Sequence, residues 1–377
     1  MPWSVQPVSE LRTALVHAVR TAGLPAAEAA RRYGVSRKTA FKWLARHDAD
    51  PAAPLADRSR RPARSPARTP GAAERLVLEA RDRWGWGPRK LHAAMLRDGL
   101  EPPPARTIAA ILGRHGRTRP GAEAPAPAAQ RFERAAPNDL WQMDFKGPIE
   151  VARRRVTPLS VIDDHSRYLL CLRPCYDMTF ATTQAALWEL FGDVGLPAAL
   201  LCDNAFSTAK NSGVGLSAFD AWLVRLGIRP AHGRPYHPQT QGKVERFHGT
   251  LEAEVYPRVR RDAPEHFAAD LEAWRPVYNA VRPHEALGDE PPVTRWRPSG
   301  RRRPERVPEA AYPEGAVVRR VGPVGDVRYR RARVMLGRGL AGEPVRVEER
   351  DGSVEFYYCD VRVRCLSAAE LRRDTML

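Results

Sequence analysis

Residues 236–251 read YHPQTQGKVERFHGTL, and this stretch joins a predicted helix to a single acidic side chain. Pro238 and Gly242 precede the helical part, in which Glu245 lies among basic residues. At 100° per residue, one face of the helix collects Val244, Phe247, His248, Leu251 and Val255. Glu245 lies at the edge of that face, where it can reach the rim of a sheet without entering the core. We therefore treat Glu245 as a candidate metal ligand.

The composition favours a polyanionic partner. The chain has 377 residues, a net charge of +17 and an isoelectric point of about 10.3, and nucleic acid is the simplest partner for such a charge. A basic secreted or membrane-surface protein is the alternative. The sequence contains no long apolar run and no signal-peptide pattern, so we expect neither export nor a membrane span. Its five cysteines form no C-x-x-C pair, which argues against a disulfide framework and a structural zinc site.

Composition also divides the chain into segments. The predicted domains and linkers are a helical domain at 1–48, a Pro/Arg-rich linker at 49–71, a second helical domain at 72–116, a linker at 117–131, an α/β core at 132–300 and a small all-β domain at 312–377. Within the last domain, Asp351-Gly352 separates two strand patterns and predicts a two-residue hairpin.

The first helical domain has the layout of a helix-turn-helix. Ala26–Tyr33 would form one helix, Gly34 the turn and Ser36 the N-cap of the next helix. The residues expected to face inward are Val35, Ala40, Trp43 and Leu44. The residues expected to approach a DNA groove are Arg37, Lys38, Thr39 and Lys42. An ordinary helical hairpin with a solvated basic face is the alternative.

The sequence of the second helical domain predicts another helix-turn-helix, and we expect its last helix to present Arg106 to DNA. The linker between the two domains is rich in arginine. Its candidate DNA contacts are Arg58, Arg60 and Arg61, with Arg64 and Arg68 beyond them. They either follow phosphates or a minor groove, or form a solvated linker.

The core segment reads β-β-β-α-β-α-β-α, which predicts a mixed sheet with helices on both faces. Asp144 is set in the first strand, where an acid needs a partner or a function. Asp203 ends the short apolar run of the fourth strand. These two acids become neighbours if the two strands are adjacent. Asp163 and Asp164 lie in a turn and are expected to be structural.

Three converging carboxylates predict a metal site, because they repel one another unless a cation lies among them. Mg²⁺ takes oxygen ligands and keeps positions open for phosphate. Two such ions, about 4 Å apart, can activate an attacking oxygen and stabilise a leaving one. We therefore predict Asp144, Asp203 and Glu245 as catalytic and metal-binding residues, with Mg²⁺ or Mn²⁺ as the cofactor and two ions in each site.

The chain resembles the DDE integrase-core transposases of bacterial insertion sequences, which are relatives of retroviral integrase. The stretches that carry the resemblance are WQMDFKG, VIDDHSRYLL, LCDNA, YHPQTQGKVERFHGTL and YNAVRPHEALG, and they run through most of residues 138–288. The resemblance implies an RNase H-like core with a five-stranded mixed sheet and the triad Asp144, Asp203 and Glu245. It also implies hydrolysis at the ends of an element, followed by attack of the freed 3′-OH on target DNA.

Two features depart from the family pattern. Forty-one residues separate Asp203 from Glu245, more than the commonest spacing, and Ala205 stands where many relatives have glycine. Neither change removes a ligand. Lys243 and Arg246 are expected to contact DNA phosphate near the site, or else to form a solvated face. Asn279, Arg282 and His284 match a late family motif, and either packing or DNA contact would explain them.

The sequence therefore predicts a transposase that acts on double-stranded DNA, at the terminal inverted repeats of its element and at a target. We expect it to be a homo-oligomer on DNA, to use no small-molecule substrate and no membrane, and to lie in the bacterial cytoplasm with the nucleoid. The resemblance also implies that the C-terminal all-β domain is a small barrel that supports DNA binding. The alternatives are a catalytically silent DNA-binding regulator and a plain RNase H-like nuclease.

Overall fold

The computed structural model describes residues 7–57, 69–118, 133–202, 215–232 and 242–373. Several predicted site residues lie outside these ranges, namely Arg58, Arg60, Arg61 and Asp203. Contacts between Cα atoms divide the chain into two compact units, Met1–Arg68 and Thr69–Leu377. The finer domain boundaries expected from the sequence stay predictions. In the described part of the chain, no helix is long and apolar enough to cross a membrane.

The first unit contains three helices, α1 (Val8–Arg20), α2 (Ala26–Arg32) and α3 (Arg37–Ala49). Gly34 turns the chain with a φ of +64°, a conformation that costs glycine little. Ser36 caps α3, since its side chain accepts a hydrogen bond from the backbone N–H of Thr39 at 3.1 Å. Ala40, Trp43 and Leu44 are buried, and Val35 packs against them. The predicted helices, turn and cap are confirmed.

The second unit begins with α4 (Gly71–Trp84), α5 (Pro88–Arg97) and α6 (Ala105–Arg114). Leu91, Ile108 and Ile111 are fully buried among these helices. Val277 and Val281, from the π-helical turn after the helix 264–276, pack against the same cluster. These three helices are therefore docked on the core.

The central sheet has six strands. They are β1 (Trp141–Phe145), β2 (Ile149–Val151), β3 (Arg154–Asp163), β4 (Leu169–Cys175), β5 (Ala199–Cys202) and β6 (Arg229–His232). Their order is β2-β3-β1-β5-β6, with β4 paired to the other side of β3. The strand missing from the five-stranded prediction is β2, which has three residues and is too short to show an alternating pattern. The mixed sheet itself is confirmed.

Helices cover both faces of this sheet. They are α7 (Phe180–Val194), α8 (Ala218–Arg225), α9 (Gly242–Thr250) and α10 (Pro264–Pro276). Trp141 is fully buried and packs in the cluster that contains α7 and α8. Ile162 packs in the opposite cluster, with Val244 and Phe247 of α9. The predicted apolar face of α9 is confirmed.

Both α9 and α10 continue into π-helical turns, at Leu251–Val255 and Val277–Val281 respectively. A π-turn shifts the side chains that follow it around the helix axis. Asn279, in the second turn, accepts from the backbone N–H of Leu169 at 2.8 Å and donates to the carbonyl of the same residue at 2.9 Å. The amide thus completes the backbone hydrogen bonding at the start of β4.

The arginine-rich segment after the core lies against the sheet layer. Arg301 donates to the carbonyl of Pro197 at 2.6 Å and to that of Gly227 at 2.7 Å. Arg303 donates to the carbonyl of Trp188 at 3.0 Å. Gly195, with a φ of +82°, leaves room for the segment, since a Cβ there would lie 2.6 Å from the carbonyl oxygen of Arg301. These arginines satisfy backbone acceptors within the fold.

The C-terminal strands are β7 (Val317–Arg320), β8 (Asp326–Tyr329), β9 (Ala332–Met335), β10 (Pro344–Arg350), β11 (Ser353–Tyr358) and β12 (Val361–Ser367), followed by α11 (Ala368–Arg373). They form a four-stranded sheet, β12-β11-β10-β7, and a separate β8–β9 pair. Asp351 and Gly352, at φ +47° and +76°, make the predicted hairpin turn. The all-β character is confirmed, but the described strands form two open sheets, so the barrel is not confirmed.

Candidate active site and DNA-contact residues

Asp144 lies near the end of β1, between β3 and β5, with its side chain 24% exposed. His248 of α9 lies beside it. The His248 Nε2 atom is 3.1 Å from Ser160 Oγ, and Nδ1 is 3.7 Å from Asp144 Oδ2. Burial, helped by the charge of Lys146, lowers the pKa of His248 to about 4, so the ring is neutral near pH 7. The neutral ring packs α9 against β1 and β3. Because the ring is uncharged, its contact with Asp144 is not an ion pair.

Glu245 is exposed on α9, one helical turn before His248. Side chains three residues apart on a helix are neighbours, with Cβ atoms about 5–6 Å apart. Glu245 thus lies one turn from the residue that approaches Asp144. Lys146, two residues beyond Asp144, pairs with Glu252 at 2.7 Å on the π-turn that continues α9. The helix that carries Glu245 and its π-helical continuation thus contact the end of β1 through His248 and Glu252.

Asp203 lies outside the described residues, so its role as a ligand stays a prediction. The preceding strand is described: β5 runs parallel to β1, with Trp141 opposite Leu200 and Gln142 opposite Leu201. The adjacency of the first and fourth predicted strands is thus confirmed. Among the residues that the structure covers, no group of three His, Cys, Asp or Glu side chains could hold a metal. Asp144 and Glu245 supply carboxylate oxygens, the donors that Mg²⁺ and Mn²⁺ prefer.

Lys243 anchors the start of α9. Its Nζ atom lies 2.5 Å from Asp164 Oδ1 and donates to the Asp164 carbonyl at 3.0 Å. Asp164 is fully buried and also accepts from Gln142 Nε2 and from the backbone N–H of Arg134, each at 2.8 Å. Burial lowers the pKa of Lys243, against the opposing effect of Asp164. Asp164 is thus a partner of Lys243 inside the protein, because a buried carboxylate needs a neutralising cation. The expected contact of Lys243 with DNA phosphate stays a prediction.

The turn acids are structural, as expected. Asp163 accepts from the backbone N–H of Ser166 at 2.7 Å, from its hydroxyl at 2.6 Å and from the backbone N–H of Asn138 at 2.7 Å. Burial nevertheless raises the pKa of Asp163, although these hydrogen bonds oppose the rise. Arg246 is exposed beside Glu245, and its contact with DNA stays a prediction.

Glu254, which sequence reasoning missed, ties the second helical domain to the continuation of α9. Its side chain is 12% exposed. It accepts from Trp86 Nε1 at 3.0 Å, from Lys90 Nζ at 3.2 Å and from Arg282 Nε and Nη2 at 2.9 and 2.8 Å. Burial alone would raise the pKa of Glu254, but the hydrogen bonds and charge of Arg282, joined by Lys90, lower it to about 2. The pKa of Lys90 also falls, since burial and Arg282 outweigh Glu254, so Arg282 is the main partner.

The contacts of Asn279, Arg282 and His284, the late family motif, show which of these residues pack inside the protein. Arg282 is buried against Glu254, and Asn279 bonds the backbone of β4. His284 is also buried, with its ring edge-on to Tyr278 at 4.7 Å between centroids. All three residues therefore pack within the fold. The signal available in the sequence was an acid, Glu254, set between the apolar residues Leu251 and Val255.

The predicted groove-facing residues of the first unit lie on one side of α3. Arg37, Lys38 and Lys42 are exposed, and Thr39 is half-buried with its hydroxyl 2.9 Å from Ser36 Oγ. Phe41, which the sequence analysis did not single out, is 53% exposed on the same helix. Arg106 is exposed on α6. Their contacts with DNA stay predictions.

Models of known protein families match the central α/β region and the N-terminal helices of the chain. Two models described as "Integrase core domain" match residues 134–238 and 226–292. A third, described as "leucine-zipper of insertion element IS481", matches residues 9–82. The described part of this last stretch contains α1, α2, α3 and most of α4.

Two of the individual relatives come from bacterial insertion elements. The "insertion element IS407 uncharacterized 31.7 kDa protein" of Burkholderia multivorans is 27% identical over 220 residues, which cover 57% of this chain and 76% of that protein. The "insertion element IS476 uncharacterized 39.2 kDa protein" of Xanthomonas euvesicatoria is 28% identical over 178 residues. This second match covers 47% of the chain and half of the relative's length.

Among solved structures, a chain of the simian T-cell lymphotropic virus intasome in complex with PP2A regulatory subunit B56 gamma matches with a TM-score of 0.37 and 17% identity. The match covers 74% of this chain and 99% of that one. The two integrase-core models together match residues 134–292, the region that carries Asp144 and Glu245. This region is therefore similar to integrase core domains, and the chain is similar to proteins of bacterial insertion elements.

Proposed function

We propose that the chain is a DNA transposase that binds the terminal inverted repeats of an insertion sequence and catalyses 3′-end hydrolysis and strand transfer by a DDE mechanism. The observation that carries the proposal is the approach of His248 on α9 to Asp144 on β1, beside the parallel strand β5, because Glu245 lies one helical turn before His248. The residue that follows β5 is Asp203. The match of residues 134–238 to an integrase core domain supports the reaction class, polynucleotidyl transfer.

The three carboxylates have separate supports. Asp144 is held on a central strand, Asp203 follows its parallel neighbour, and Glu245 is carried by a helix anchored through Lys243. Carboxylate oxygens would hold Mg²⁺ or Mn²⁺ here, and two such ions supply charge stabilisation for in-line displacement at phosphorus. The exposure of Glu245 leaves space for a phosphodiester. His248, neutral near pH 7, keeps α9 seated on β1 and β3 without competing for negative charge.

DNA recognition is proposed for the helical domains. On α3, Arg37, Lys38 and Lys42 present positive charge that can approach a groove. Arg106 adds a cation on α6. The net charge of +17 favours association with both element ends and target DNA. We further propose a dimer or higher assembly on DNA, in the bacterial cytoplasm.

The test uses the DNA that flanks the gene. Labelled duplexes of its terminal inverted repeats are incubated with protein and Mg²⁺ or Mn²⁺, and 3′-end nicks and strand-transfer products are resolved on gels. Glu245→Gln and Asp144→Asn should abolish both products while end binding persists. The matched control is Glu265→Gln, an exposed acid in the first turn of α10, which should keep full activity.

Three results would contradict the proposal. Full strand transfer by Glu245→Gln would remove the triad assignment. Tight, salt-sensitive binding with no cleavage in either metal would favour the silent DNA-binding regulator, and nicking without strand transfer would favour a plain nuclease. The mass of the complex with paired ends, measured by light scattering, checks the assembly, since a monomer would contradict it.

A further inference from the structure

A cleft of about 440 Å³ lies between the end of α4, the π-turn after α9 and α10. Its walls include three tryptophans, Trp84, Trp86 and Trp274. Trp84 and Trp86 stack with their ring centroids 4.9 Å apart. Three arginines also line the cleft, namely Arg83, Arg258 and Arg260. The cleft therefore combines aromatic walls with cations.

The charges of the cleft are unequally neutralised. Arg260 is paired with Asp270, at 2.5 Å between Nη2 and Oδ1. The other acid in the wall, Glu254, already accepts from Trp86, Lys90 and Arg282. Within the described ranges, neither Arg83 nor Arg258 has a carboxylate partner. Two guanidinium charges thus remain available.

These two arginines are held in place by contacts that leave their charge uncompensated. The Arg83 guanidinium lies 4.5 Å from the ring centroid of Trp84. Arg258 Nη1 donates to the backbone carbonyl of Arg83 at 3.1 Å. Gly85, at φ +69°, lets the Arg258 guanidinium approach, because a Cβ there would collide with it. Both cations are therefore gathered where the chain leaves α4.

We propose that this cleft binds the sugar–phosphate backbone of the bound DNA, with a phosphate at Arg83 and Arg258 and a deoxyribose against Trp84. Guanidinium groups match phosphate geometry with paired donors, and apolar walls suit the sugar. A strongly basic chain favours DNA over an acidic peptide as the occupant. The inference rests on the proposed function, since it names a further contact with the same DNA.

The position of the cleft predicts which part of the DNA it contacts. Val255, in its wall, is ten residues beyond Glu245. At 1.5 Å per residue this is roughly 15 Å along the helix. One DNA strand advances about 3.4 Å per nucleotide, so a strand that follows the helix axis would place the contact about four or five nucleotides from the phosphodiester that reacts.

The test measures binding of the labelled element end by fluorescence anisotropy as a function of salt. It is done in the Glu245→Gln background, so that cleavage plays no part. Arg83→Gln and Arg258→Gln should each weaken binding and reduce the slope of log K against log salt by about 0.9. The matched control is Arg260→Gln, which should leave the slope unchanged because Asp270 neutralises that arginine.

A second arm locates the phosphate. Single methylphosphonate substitutions, which remove the charge of one phosphate, are scanned along the end. Substitution four or five nucleotides from the cleavage site should weaken binding to the parent protein and have no further effect on the Arg83→Gln/Arg258→Gln double variant. Circular dichroism checks that each variant is folded.

The outcomes separate this inference from the proposed function. Equal slopes for all variants, or no position that depends on the two arginines, would overturn the cleft as a DNA site and leave catalysis untouched. If binding depends on Arg83 and Arg258 as expected but the unmodified protein does not nick the DNA, the transposase proposal would be contradicted instead.

Discussion

The substitution Glu254→Gln tests how the second helical domain is held on the core. Gln keeps the size of the side chain and removes the charge that Arg282 and Lys90 surround. Because Arg282 is only 7% exposed, its guanidinium would remain buried without a counter-charge. Breaking such a buried pair typically costs about 3–5 kcal/mol.

The pKa of Glu254 gives the same magnitude. It drops from 4.5 to about 2 on folding, and each pKa unit corresponds to about 1.4 kcal/mol, so the carboxylate stabilises the fold by about 3 kcal/mol. This contribution is present above the unfolded pKa, since the folded state then holds the charged form more tightly. It decreases as the pH falls below about 4.5 and is lost near the folded pKa of about 2.

The assay is urea denaturation of the full chain, followed by tryptophan fluorescence, because Trp86 donates to Glu254. At pH 7 the variant should lose about 3 kcal/mol of unfolding free energy. The difference from the parent protein should shrink between pH 4.5 and the acid limit of the folded state. Asp270→Asn is the control, since the pKa of Asp270 is also about 2 but its partner Arg260 is 55% exposed. An Asp270→Asn loss as large as that of Glu254→Gln, or a pH-independent Glu254→Gln loss, would refute the reasoning.

Three further predictions concern local contacts. Ser36→Ala should lower the stability of the first unit by about 1 kcal/mol by removing the α3 cap, and hydrogen exchange in that unit would show it. Gly195→Ala should destabilise the second unit by about 1–3 kcal/mol, because its φ is +82° and its Cβ would meet the carbonyl of Arg301; an unchanged melting temperature would contradict this. Lys243→Met should cost about 3–5 kcal/mol by leaving Asp164 buried without a cation, and calorimetry at neutral pH checks it.

Local features of the fold were predictable from sequence. The turn at Gly34, the cap at Ser36 and the apolar face of α9 depend on residues within one or two helical turns. The pairing of β1 with β5 is different, because it joins residues about sixty positions apart. From the sequence alone, Asp144 and Asp203 could be called neighbours only if these two strands were adjacent. The short strand β2 forms by pairing with β3, and the C-terminal strands pair as two open sheets instead of a closed barrel. No local sequence pattern encodes either pairing.

The candidate site shows the same division. Asp144 and Glu245 are predicted as ligands because an acid in a strand and an acid beside an apolar helix face are locally unusual. The partner of Lys243 was missed because Asp164 is 79 residues away in the chain. Charge alone does not tell a cation that meets phosphate from one that neutralises a buried carboxylate. Tertiary contacts decide between them.

The guanidinium–carbonyl contacts of Arg301 and Arg303 have a consequence for the composition of the chain. Only 6 of its 61 basic residues are lysine, so 61 − 6 = 55 are arginine. Arg301 bonds two loops at once through a planar fork with several donors. Lysine offers a compact ammonium without this planar fork, so it would not reproduce the same pair of contacts. A GC-rich coding bias that favours arginine would thus also supply side chains that bond the backbone carbonyls of loops. Replacing these arginines with lysine would destabilise the protein while leaving its net charge the same.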